Sequence, residues 1–180
     1  LPEDLSITSI FSELGIGAGV MGEGVGAIKL DNGWVGSLIE VSQDDGYWVK
    51  IDEETTLSIF DADPVNYDAD GEVIYSIHFG NNLISYSFQT PQYLGDALGD
   101  AAANVYAIAG EGVAALYNPP TDGGDDGWVG SLTAFEGGSG YWLVATDNFS
   151  FSFNGVDEGL TRATKQEVRA VPKVYSYRQS

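Results

Sequence analysis

The sequence predicts a mainly β protein, with two tandem small β-sandwich or barrel-like modules, each carrying one short helix, followed by an extended C-terminal tail. Three observations predict it. Blocks recur in order along the chain: GEGVGAIKL at 22–30 and GEGVAALYN at 110–118, GWVGSL at 33–38 and 127–132, GYWV at 46–49 and GYWL at 140–143. The first pair is offset by 88 residues and the other two by 94, so the second copy holds a six-residue insertion, within the turn-like stretch NPPTDGGDD. Short runs of β-branched and aromatic residues alternate with Gly-rich turns, the pattern of many short strands. The 180 residues divide into copies of 80 to 90, a size near the lower limit for burying an independent core.

The second copy is the fuller guide. NLISYSF at 82–88 alternates apolar and polar residues and reads as a strand. YLGDALGDAAANVYAIAG at 93–110 places Leu94, Ala97, Leu98 and Ala101 at helical spacing, with Gly110 as the stop. VAALYN, WVGSLTAF, YWLVAT and FSFSF then read as four strands separated by turns. In the first copy, LSITSIFSEL at 5–14 matches the helix, with Ser6 or Asp4 as N-cap and Leu5, Ile7, Ile10, Phe11 and Leu14 on one face. Thr55, Leu57 and Ile59 fall opposite Phe149, Phe151 and Phe153, so both copies are expected to end in an alternating strand. The divisions are 1–60 for the first module, 61–79 for an acidic linker and lead-in strand, 80–155 for the second module and 156–180 for the tail.

Nothing ahead of LSITSIFSEL matches NLISYSF, so the first module is one strand short. The expected consequence is a bare sheet edge beside VGAIKL at 25–30 and an open groove over Leu5, Ile10 and Phe11. Three fillings are expected: the strand was removed in making or maturing the chain, the tail folds back, or another subunit donates a strand. The donor segment is 170–178, AVPKVYSYR, with Val171, Val174, Tyr175 and Tyr177 as its inter-subunit residues. A basic tail on an acidic body suggests head-to-tail attraction, within one chain or between chains. The other reading of the acidic residues is that they keep an aromatic-rich secreted protein soluble in salty water. Residues 1–161 carry two bases against 26 acids, whereas 162–180 carry five bases against one acid, Glu167. A body this negative repels phosphate, so nucleic acid is not an expected partner. No apolar run reaches the ~20 residues of a membrane helix, and the opening residues read as those of a mature or trimmed product.

Candidate chemistry is sparse. Asp61, Asp63, Asp68, Asp70 and Glu72 in DADPVNYDADGE offer hard oxygen ligands that suit Ca²⁺, although their spacing departs from the EF-hand loop; a solvated acidic linker is the other reading. Asp122, Asp125 and Asp126 read as turn residues. Gly17, Gly19 and Gly22 satisfy G-x-G-x-x-G but follow a helix and precede a strand, the reverse of the dinucleotide order, so they read as a tight turn. Trp34, Trp48, Trp128 and Trp142 hold matching repeat positions; they read as packing residues, with a stacking platform for glycans as the alternative. On a strand, adjacent Tyr47 and Trp48 face opposite sides, so one of each such pair is expected to be partly exposed. The single histidine, His78, lies in YSIHF without a cysteine or second histidine to make a metal set or nucleophile–base pair, and reads as structural. No catalytic set assembles, and the chain is expected not to be an enzyme.

The order NLISYSF, helix, GEGVAA, GWVGSL, GYWL resembles the NLIS/GYWV-type tandem repeat modules of secreted or surface proteins of marine and environmental bacteria. The resemblance spans 1–155; GNNLIS at 80–85 lacks the Trp usual in that family. It implies an extracellular, cell-surface, non-catalytic setting, with neighbouring domains or copies of itself as partners, and brings no ligand site. The expected function is therefore a structural or adhesive module, assembled as a fibre or surface layer by strand donation from the tail, with a carbohydrate-binding module as the alternative.

Overall fold

The computed structural model describes residues 3–42, 44–59, 73–119 and 127–156. The architecture is mainly β, with antiparallel sheets and two short helices. The chain starts with α1 (Ile7–Ile10), where the Ser6 hydroxyl accepts from Ser9 N at 3.3 Å and so caps the first turn. Ile7 and Ile10 face inward with Phe11 and Leu14. There follow β1 (Gly19–Met21), β2 (Gly26–Leu30), β3 (Gly33–Gly36) and β4 (Trp48–Lys50), which pair in the order β3-β2-β1-β4. Val20 in β1 stands opposite Ala27 and Val49 and is fully buried under the helix face.

The C-terminal half contains β5 (Tyr75–Ile77), β6 (Gly80–Ser85), β7 (Gln92–Tyr93), α2 (Leu94–Leu98), β8 (Val105–Gly110), β9 (Val113–Tyr117), β10 (Trp128–Gly130), β11 (Ala134–Phe135), β12 (Gly140–Ala145) and β13 (Phe149–Phe151). Its main sheet runs β10-β9-β8-β12-β6, and two strand pairs, β11-β7 and β13-β5, close over it. Its core is aromatic: Phe135 stacks on Tyr86 and meets Tyr141 and Phe153 edge-on, while Tyr75 packs against Phe151 and Phe153.

Residues at matching places in the recurring sequence blocks make matching contacts. Gly26 N donates to Ser37 Oγ at 3.2 Å, and Ala114 N to Ser131 Oγ at the same distance. Ser42 N donates to the Tyr47 hydroxyl at 2.8 Å, and Glu136 N to that of Tyr141 at 2.8 Å. Gly36 and Gly130 have φ of +155° and +153°, and a Cβ on either would sit 2.1–2.2 Å from a carbonyl oxygen of the facing strand. The glycine of GWVGSL is thus required by close backbone approach.

Four expectations are corrected. The helix over 93–110 ends at Leu98; Gly99, with φ +50°, turns the chain into a 3₁₀ segment, and Val105–Gly110 is a central strand. Val105 and Ile108 are buried there while Tyr106 is exposed, so sheet pairing overrides the apparent helical spacing. For the same reason the glycine-rich stretch expected to be a tight turn at Gly17, Gly19 and Gly22 contains β1, at the sequence position corresponding to β8. Residues 55–59 form no strand, because the N-terminal half has no counterpart of β5 to pair them among the described residues. β2 lies inside the sheet, so among the described residues the edges without a strand neighbour are those of β3 and β4, and it is β4 that lacks the neighbour its match β12 has in β6. No groove lies open over the helix, because Ile10 and Phe11 are buried and Leu5 partly so, with Leu5 O accepting from Val41 N.

Candidate functional site

Two features stand out, and both concern how sheet edges are met. The first is where the halves join. The β1–β2 turn carries Glu23 at its tip, next to Gly24 with φ +68°. Its carboxylate reaches across to the C-terminal half, with Oε1 2.7 Å from His78 Nε2 and Oε2 accepting from Leu83 N at 3.0 Å. Residues 44–46 run antiparallel along the same outer edge of β6, Asp45 standing opposite Ile84. Gly46 N donates to Leu83 O at 3.0 Å, and Ser85 N to Asp44 O at 3.3 Å. A Cβ on Gly46 would lie 2.7 Å from Ile84 O, so this approach requires glycine. The edge of β6 that β12 does not use is thereby covered by the other half.

Between these contacts lies a cleft of about 330 Å³ lined by Glu23, Asp44, Asp45, Tyr47, Ser76 and His78, among others. Burial is the main cause that lifts the Asp45 carboxyl above its ordinary range, although much of the residue's surface is open; the adjacent Asp44 charge adds to it. Burial likewise pushes the Tyr47 phenol up to about 12. Tyr47 also donates to Asp45 Oδ2 at 3.2 Å. His78 titrates above its ordinary value, first because the Phe79 carbonyl oxygen lies 2.9 Å from Nδ1 and then because of Glu23. With an acceptor at each ring nitrogen, only the imidazolium can donate to both. No group of three or more His, Asp or Glu among the described residues is placed to hold a metal. The cleft holds no thiol.

The second feature is β4. Val49 is 42% exposed, whereas Leu143, its match in β12, is fully buried between β8 and β6. Trp48 and Ile51 are exposed beside it, and Leu57 and Ile59 are exposed as well, whereas their matches Phe151 and Phe153 are buried.

The Trp residues divide. Trp34 packs on Phe11, and Trp128 on Tyr117; both indole N–H groups are buried without a partner among the described residues. Trp142 is half-buried in β12, and Trp48 is exposed on the edge. As expected for adjacent strand residues, Tyr47 and Tyr141 are more buried than the Trp that follows each. His78 lies just past the end of β5 and is exposed. Asp61, Asp63, Asp68, Asp70 and Glu72, the insertion residues Asp122, Asp125 and Asp126, and the tail residues Val171, Val174, Tyr175 and Tyr177 lie outside the described residues. Sequence reasoning missed Glu23, Asp44 and Gly46. An acidic residue between two turn glycines, repeated as GEG at 22–24 and 110–112, was the signal for the first.

No protein-family model matches the chain, and comparison with curated proteins and with solved structures finds no match.

Proposed function

We propose that the two halves are copies of one β module and that the chain is a non-catalytic structural or adhesive element of an extracellular, surface-attached protein, as the likeness to NLIS/GYWV-type repeats implies. Its modules associate through sheet edges, and β4 accepts a strand from a neighbouring chain or domain in the place that β6 takes beside β12. One observation carries this reading: β12 lies between β8 and β6, whereas β4 has β1 on one side and no strand on the other among the described residues. A strand edge with exposed Trp48 and Val49 is a template for main-chain pairing. The matching hydrogen bonds of Ser37 and Ser131, and of Tyr47 and Tyr141, support the reading of two copies.

The test is to supply the strand. Residues 80–88, GNNLISYSF, are fused ahead of residue 1 through a flexible linker, and backbone amide exchange is followed in the full chain. Protection of residues 48–50 and higher stability of the N-terminal half are expected. Unchanged exchange in β4 would sink the proposal. A glycan-binding role is the second reading, favoured by the exposed Trp48 beside half-buried Tyr47. It requires binding on a glycan array that Trp48→Ala abolishes.

A further inference from the structure

Each half of the chain completes its own core. The buried apolar cluster of the N-terminal half runs from Ile7 to Val41 and that of the C-terminal half from Val73 to Phe153, and no residue belongs to both. Among the described residues, no strand of the N-terminal sheet pairs with a strand of the C-terminal half; only 44–46, ahead of β4, run along β6. Near the end of the first half, Ser58 N donates to Glu13 Oε2 at 2.7 Å, while Val73 is already buried in the second core. The covalent link between the halves therefore runs through residues 60–72.

The contacts at β6 are polar and take one atom from each half. Gly46 N donates to Leu83 O, Ser85 N to Asp44 O and Leu83 N to Glu23, and Glu23 faces His78. The ion pair is open to solvent, with the His78 side chain 60% and the Glu23 side chain 37% exposed. Exposed pairs of this kind are weak and reversible. The need for cover is nevertheless built into β6, whose outer edge would be bare at Leu83 without the other half. Leu83 is buried yet belongs to neither core, and a Cβ on Gly46 would lie 3.1 Å from its Cγ, so the Gly46 backbone rests on that side chain.

We infer that this joint is an exchange interface between copies of the chain: the N-terminal half of one copy docks on the β6 edge of another through the contacts it makes within one chain, a domain swap. The occupant is a second copy because every copy carries both surfaces, and none of the contacts requires the two halves to share a backbone. Within one chain the connection sets a local concentration of about a millimolar. Joining within the chain dominates in dilute solution, and exchange sets in as the chain approaches that concentration. The interface uses the edge of β6 and not that of β4, so it stands whether or not β4 accepts a strand.

Two full-length variants test it. Gly46→Val places a side chain 2.7 Å from Ile84 O and disables the N-terminal half of one chain, leaving its β6 edge intact. His78→Glu with Leu83→Pro disables the β6 edge of the other, by charge and by removing the N–H that Glu23 accepts from, leaving its N-terminal half intact. Ring contacts of Phe135 with Tyr86 and Tyr141, read by NMR, report that each C-terminal half is folded; should Leu83→Pro disturb them, His78→Glu alone serves as the second chain. Each variant alone is expected to be a monomer by light scattering, with Leu83 of the Gly46→Val chain exchanging faster than in the wild type. Mixed at about 1 mM, the local concentration of the native connection, the two form a one-to-one heterodimer, and Leu83 of an isotope-labelled Gly46→Val chain regains wild-type protection. A mixture that stays monomeric overturns the inference. So does association that leaves Leu83 unprotected, or that persists unweakened when Glu23→Lys is added to the second chain. Amides 48–50 of the second chain give the separate readout of β4, so either proposal can fail alone.

Discussion

The N- and C-terminal halves carry the same sequence blocks, hydrogen bonds and glycine contacts, yet they bury very different amounts of apolar surface. Among the described residues, nine buried apolar residues form the cluster that contains Val20, and twenty the cluster that contains Phe135. Ten of the eleven extra residues have two sources, and the eleventh, Tyr141, matches the partly buried Tyr47. Six residues, Val73, Tyr75, Ile77, Ile84, Tyr86 and Phe88, come from β5, β6 and the residues next to them, which have no counterpart in the N-terminal half among the described residues. Four more, Leu143, Ala145, Phe151 and Phe153, match residues that are present but exposed: Val49, Ile51, Leu57 and Ile59. A strand's burial therefore depends on whether a neighbour lies beside it, and similar residues serve as core in one setting and as edge in the other.

The sharpest way to break this comparison is through the aromatic core. Phe135→Ala should cost about 3–5 kcal/mol, because its ring touches Tyr86, Tyr141 and Phe153 and is fully buried. Val41→Ala, at the matching position, should cost about 1 kcal/mol. Urea unfolding followed by amide exchange in each half reads both, and equal losses would mean that the cores are equivalent after all. Next is the central strand: Leu143→Ala should cost about 2–5 kcal/mol and Val49→Ala no more than about 0.5 kcal/mol. A Val49→Ala cost near that of Leu143→Ala would show that β4 is already covered in the protein. At the joint, Glu23→Leu removes the acceptor of Leu83 N and the partner of His78, and a loss of about 1 kcal/mol is expected, seen as faster exchange at Leu83. If Leu83 exchange is unchanged, Glu23 is not the latch.

The smallest effect is that of pH. The His78 value is raised in the fold above its ordinary 6.5, so its contribution is complete below that value and is lost as pH rises through the folded one. Asp45 is raised above its ordinary 3.8; the folded state holds its proton more tightly, and that contribution too fades with rising pH. Protection of Leu83 and Gly46 should thus weaken from mildly acidic to mildly alkaline conditions. His78→Gln should flatten the upper part of this dependence. An unaltered pH profile in His78→Gln would assign it to other groups.

Much of the fold was legible in the chain itself. The repeated blocks located matched turns and strands, and Ser6 was recognisable as a cap. The misreadings share a cause. NVYAIAG looked like the end of a helix because Ala and Gly are small and carry little pattern, and only pairing with β9 and β12 makes it a strand. The open edge was placed beside β2 because β1 lay hidden in a glycine-rich stretch, so the order of strands could not be counted. Glu23 was readable as an exposed turn acid, but its partners, 55 and 60 residues away, were not.

Local composition and periodicity by themselves determined the mainly β class, the matched blocks and the strongly acidic charge, because those properties reside in each short segment. Tertiary structure alone decided which edge is bare, which aromatic residues become core and which carboxylate bridges the halves. These depend on which strands lie side by side, and strand neighbours are chosen by long-range pairing that no single window of sequence contains.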